Sequence, residues 1–111
     1  MNSISQEIIN YIKKINVGNL NNWYAGITNN VAERKKQHER EKDITCEYLK
    51  YWQCKTEDEA RQIEQELKDK GIPIYKKNLK IIAKGTKPST IVYVFLAVSK
   101  KSQHYIRLLK K

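Results

Sequence analysis

The segment Ile91–Val98, IVYVFLAV, is an unbroken apolar run of eight residues, and it constrains the fold more than any other part of the chain. It falls far short of the roughly 20 residues needed to span a bilayer. Its β-branched and aromatic residues predict a strand. In a strand, Val92, Val94 and Leu96 share one face, while Tyr93 and Phe95 share the other. Both faces are apolar, so the strand must be central and covered on both sides. The rest of the 111 residues has to supply that cover.

The remaining periodicities supply it. Residues 3–16 predict an amphipathic helix, with Ile4, Ile8, Ile12 and Ile15 recurring at spacings of four and three, and Ser3 or Ser5 as the cap. Residues 16–22 are a turn-rich break. Trp23–Thr28, WYAGIT, predicts a strand. Asn30 with Glu33 has the form of a capping box and opens a helix through about Glu41. Residues 45–54, TCEYLKYWQC, predict the second strand. Thr56 with Glu59 is a stronger capping box, opening a helix through about Lys70 with Ala60, Ile63 and Leu67 on one stripe and Gly71 at the stop. Residues 72–90 predict an irregular basic connection. The tail, 99–111, has two readings: a basic helix beginning after Ser99 or Ser102, or a further strand. The order gives a small α/β or α+β sandwich over residues 1–111, with helices covering a sheet of about three strands.

Charge is placed unevenly. The chain carries 22 Lys and Arg against 12 Asp and Glu, a net charge of +10. Residues 1–70 hold all twelve acidic residues and twelve basic ones, whereas residues 71–111 hold ten basic and no acidic residues. A one-sided excess is the footprint of a polyanion binder, because Lys and Arg on phosphates release condensed counterions. The plainer reading is a basic domain with no such partner.

Cys46 and Cys54 are the only cysteines. Within one strand they stand roughly 26 Å apart at about 3.3 Å per residue, and a disulfide needs under about 7 Å. They read as reduced core residues of a cytoplasmic protein. No CxxC or HxxxH pair suggests zinc. The N-terminus has no basic region leading into an apolar stretch, which argues against secretion.

Nucleophile motifs, P-loops and GxGxxG are missing from the sequence. The candidate polar groups are Tyr24, Arg34, His38, Glu64, Asn78 and Tyr93. Arg34 and His38, four apart, project from one helix face. The plainer reading is a solvated basic face with Lys35, Lys36 and Arg40. Glu64 lies about 40° from Ala60 at the border of the apolar stripe, where a carboxylate can enter a cleft and hold a hard cation. Its plainer reading is an exposed pair with Lys68. Glu66 points away from the stripe.

The segment from Trp23 to His38 resembles the second half of the GIY-YIG nuclease signature. Tyr24, Gly26, Arg34 and His38 fall at the family spacing without gaps. The segment from Tyr51 through Glu64 to Leu67 resembles the family's strand and Glu-x-x-Leu helix, and Pro73–Asn78 is a loose version of its Pro-x-Tyr-Asn turn. Two departures stand out. Ala25 replaces the usual Ile or Val, and no Gly-Ile-Tyr strand precedes residue 23. The strand 91–98 has the right character to stand in for it, with Tyr93 as the first family Tyr, in a circularly permuted fold; the resemblance implies an α+β domain with a mainly antiparallel sheet of about three strands.

The resemblance implies an endonuclease dependent on Mg²⁺ or Mn²⁺ that hydrolyses phosphodiester bonds in nucleic acid, DNA before RNA. It implies Glu64 as metal ligand, Arg34 as phosphate clamp, Tyr93 as general base, Tyr24 as positioner of water or phosphate, and His38 as proton-transfer partner, with Asn78 completing the set. Residue types agree with these roles: Glu is a hard oxygen ligand, Arg a planar fork for phosphate, and Tyr a base where cations lower its pKa. A homodimer would cut both strands. The competing readings are a nucleic-acid-binding module of the same fold without cleavage, and an interaction domain that docks through helix 3–16.

Overall fold

The computed structural model describes residues 2–74 and 88–99. In chain order they form helix α1 (Ser3–Ile15), a 3₁₀ turn (Leu20–Asn22), strand β1 (Trp23–Thr28), helix α2 (Val31–Lys42), strand β2 (Ile44–Gln53), helix α3 (Glu57–Asp69) and strand β3 (Ile91–Ser99). Every predicted helix and strand in these residues is present, within one or two residues of its expected ends. The fold is α+β, with three helices on a three-stranded antiparallel sheet.

Local chemistry sets the helix ends. The Glu33 amide donates to Asn30 Oδ1 at 3.0 Å, and the Glu59 amide donates to Thr56 Oγ1 at 3.1 Å, so both expected caps form. α1 departs from expectation. Its cap is Asn2, whose side chain accepts from the Ile4 amide at 2.8 Å, not Ser3 or Ser5. Ser5 is buried and donates to the Glu66 carboxylate, which also accepts from the Asn2 amide. Packing of α1 against α3 thus claims the serine that a local reading assigns to the cap.

The strand order is β1-β3-β2, so β3 is the central strand beside β1, as its two apolar faces require. Val92, Tyr93, Val94 and Phe95 are each at most 1% exposed. One face, with Val92, Val94 and Leu96, packs against Ile8, Ile9 and Ile12 of α1 and Ala60, Ile63 and Leu67 of α3. The other face, with Tyr93 and Phe95, packs against Cys46, Leu49 and Tyr24 and meets His38 of α2. Each large apolar side chain buried in these layers contributes about 1.5–3 kcal/mol. Beyond α3, Ile74 bridges Ala25 in parallel, and the Ala25 amide donates to Pro73 O at 3.0 Å, which covers the outer edge of β1 there. Cys46 and Cys54 are buried on opposite layers and form no disulfide, as their spacing requires. Most of the predicted basic connection and tail lies outside the described residues. Among the described residues, no helix is long and apolar enough to cross a membrane.

Candidate active site

The antiparallel register sets Tyr93 opposite Gly26 and Phe95 opposite Tyr24. Directly opposed residues share a face, so these four lie on the α2 side of the sheet. The Tyr93 ring leans across β1 at Gly26. A Cβ at that position would stand 2.5 Å from Tyr93 Oη and 2.7 Å from its Cζ, so glycine is required by the close approach. The ring's hydroxyl reaches His38 Nε2 at 2.7 Å. Phe95 lies behind both, with its ring 5.0 Å from His38 and stacked on Tyr24 at 5.8 Å.

Helix α2 divides the basic face that its sequence suggests. Lys35, Lys36 and Arg40 differ in placement from His38: these three are exposed, Arg34 is half-buried, and His38 is fully buried. The solvated reading therefore holds for Lys35, Lys36 and Arg40 and fails for His38. Burial pushes the His38 pKa down to about 4, and the positive charge of Arg34 adds to the shift. The imidazole is neutral at pH 7 and offers one donor and one acceptor. Burial likewise raises the Cys46 thiol to about 12, which makes it inert as a nucleophile.

The remaining predicted site residues are placed differently. Tyr93 is 1% exposed and its hydroxyl faces His38, so it does not open into a cleft shared with Glu64, as the resemblance implies for a base. The physical reason is the lean over Gly26, which turns the hydroxyl under α2. Tyr24 is half-buried on the same layer. Glu64 is half-buried on α3, whose apolar stripe packs on the opposite face of the sheet, against β3 and the edge strand β1. Glu66, off the stripe, serves the joint to α1. Asn78 lies outside the described residues.

Among the described residues, no three His, Cys, Asp or Glu side chains form a group that could hold a metal. A lone half-buried carboxylate does not make a cage for Ca²⁺ or Zn²⁺. It does fit Mg²⁺, which keeps several waters and takes one or two carboxylates plus substrate phosphate.

Two features escape a local reading of β2. The chain carries one extra residue there, because Glu47 pairs with Leu96 and Lys50 with Val94. Tyr48, inside that bulge, is left-handed at φ 55°. The signal available in the sequence is that Tyr48, Tyr51 and Trp52 cannot all follow a period of two.

No protein-family model, curated protein or solved structure matches the chain.

Proposed function

We propose that the chain is a metal-dependent endonuclease acting on DNA, with the permuted GIY-YIG arrangement. The observation that supports this reading is the contact of His38 with Tyr93 over Gly26, since it joins the Arg34/His38 helix, the Tyr-Ala-Gly strand and the C-terminal strand. The unbalanced positive charge of residues 71–111 supplies the affinity for phosphate.

The roles follow from burial. Arg34 clamps the phosphate through its planar fork. Tyr24, half-buried on the same layer, meets the attacking water. Tyr93 and the neutral His38 form the buried pair behind it and fix the seat of α2. The His38 imidazole, with a pKa of about 4, is uncharged at pH 7 and too weak a base to take up a proton there. Glu64 would hold Mg²⁺ or Mn²⁺ at the β1 edge, where α3 packs on the strand that carries Tyr24. When bound, the cation stabilises charge on the scissile phosphate and its leaving oxygen.

Burial of Tyr93 and placement of Glu64's helix on the opposite layer favour a second reading, a DNA-binding module without cleavage. A nicking assay on supercoiled plasmid with about 5 mM Mg²⁺ or Mn²⁺, enough to fill a weakly held cation site, separates the two. Nicking by the wild type, lost in Glu64→Ala and in Tyr24→Phe, supports the nuclease. Binding with no nicking leaves the module.

A further inference from the structure

Tyr51 is the most exposed large hydrophobic residue of the described chain, at 57%. It sits directly across from Tyr93 on β2, on the α2 face of the sheet. Tyr93 leans away from it toward Gly26, and α2 runs from the end of β1 to the start of β2, so that among the described residues no helix covers the far end of β2 on this face. No ring, cation or hydrogen-bond partner for the Tyr51 side chain occurs among the described residues.

The bulge aims it there. Cys46 pairs with Ala97 and Tyr51 with Tyr93, so β2 advances five residues while β3 advances four. Without the extra residue, Tyr51 would turn to the α1/α3 core and Trp52 to the α2 face. The phase change holds Tyr48 in the left-handed region, which is unfavourable for a residue other than glycine. Its retention is built in. The Tyr11 hydroxyl donates to Tyr48 O at 2.8 Å, and the Tyr48 ring packs on Trp23 at 6.3 Å. Bulges beside active sites commonly re-aim a side chain in this way.

From this placement we infer that Tyr51 is a stacking platform for one unpaired nucleobase of the DNA strand whose phosphate lies at Arg34. The inference rests on the DNA-binding part of the reading above and names its substrate class: single-stranded DNA, or a duplex with a base out of the stack. Charge complementarity favours this occupant. Lys35 and Lys36 are exposed on the helix that covers the same face, and the net charge of +10 attracts a polyanion over a neutral or basic protein surface. A paired duplex hides its base faces and cannot use the ring.

The test is binding of a fluorescein-labelled 12-nucleotide single strand by anisotropy, in EDTA at 50 mM salt. Tyr51→Ala should weaken binding about 5- to 150-fold, the span measured for one base on an aromatic ring. Tyr51→Phe should stay within about twofold, since stacking needs the ring and not the hydroxyl. A blunt duplex of the same sequence should bind wild type and Tyr51→Ala alike, and an abasic site at each position in turn should abolish the Tyr51→Ala effect at one position. Wild-type affinity in Tyr51→Ala, or an equal loss on the duplex, overturns the inference. Failure of the wild type to bind the strand overturns it together with the DNA reading. Binding with the expected Tyr51 dependence but no nicking overturns the nuclease alone.

Discussion

Gly26 shows how far a single missing atom can reach. Tyr93 occupies the space that any Cβ at position 26 would take, 2.5 Å from its hydroxyl. In Gly26→Ala the ring must shift, and the shift pulls the hydroxyl off His38 Nε2. Overpacking of this kind costs about 1–3 kcal/mol, so the urea midpoint should fall with an unchanged slope. A midpoint equal to wild type would mean that the ring moves at no cost. His38 gives a second prediction at this scale. Its pKa falls from 6.5 unfolded to about 4 folded, because burial and Arg34 disfavour the imidazolium. A depressed pKa means that the unfolded chain binds the extra proton. The stability is therefore fully present above pH 6.5 and is lost as the pH falls toward 4, by about 3 kcal/mol in all. Urea unfolding at pH 7.5 and 4.5 should show a steep loss in wild type. The difference between the two pH values should shrink in His38→Gln, which has nothing to protonate.

Among the elements, α3 separates two carboxylates that the sequence places close together. Glu66 accepts from the Asn2 amide and the Ser5 hydroxyl at the N-terminus of α1, where the helix dipole also favours an anion. Glu66→Ala leaves these donors without their acceptor and should cost about 1–3 kcal/mol in thermal unfolding. Asp69→Ala, which removes only an exposed contact with Gln65, should change stability by less than about 0.5 kcal/mol. Equal effects would show that Glu66 carries no joint. What the sequence could reveal divides along the same line. The caps at Asn30 and Thr56, the stripe of Ala60, Ile63 and Leu67, and the two faces of β3 are local patterns, and they are readable. That Tyr93 and Phe95 share one face of β3 also follows from alternation, but the register that sets them opposite Gly26 and Tyr24 does not. Burial of His38, the anchoring of Ser5 by Glu66 and the left-handed Tyr48 depend on which helix covers which face. No spacing within a single element encodes that.

The whole molecule hangs on its last described strand. β3 bonds to both β1 and β2, and these two do not bond to each other. A chain ending at residue 88 loses the central strand and the shared floor of both cores, and it should be unfolded by circular dichroism. A chain ending at Ser99 keeps every strand of the described sheet, yet it lacks five of the 22 basic residues and no acidic one, which halves the net charge of +10. These two truncations therefore separate the fold from its electrostatics. If the full chain touches 6–10 phosphates, its affinity for DNA should fall about 10³- to 10⁵-fold between 50 and 200 mM salt. The chain ending at Ser99 should remain folded and bind more weakly at 50 mM. Its log–log salt slope should be shallower by about 0.9 for each phosphate that it no longer neutralises. An unchanged slope would place the phosphate-binding side chains on α2 and residues 71–88 rather than on the C-terminal tail. A flat titration of the full chain would sink the polyanion reading, because Lys or Arg cannot pair with a DNA phosphate in water without releasing counterions.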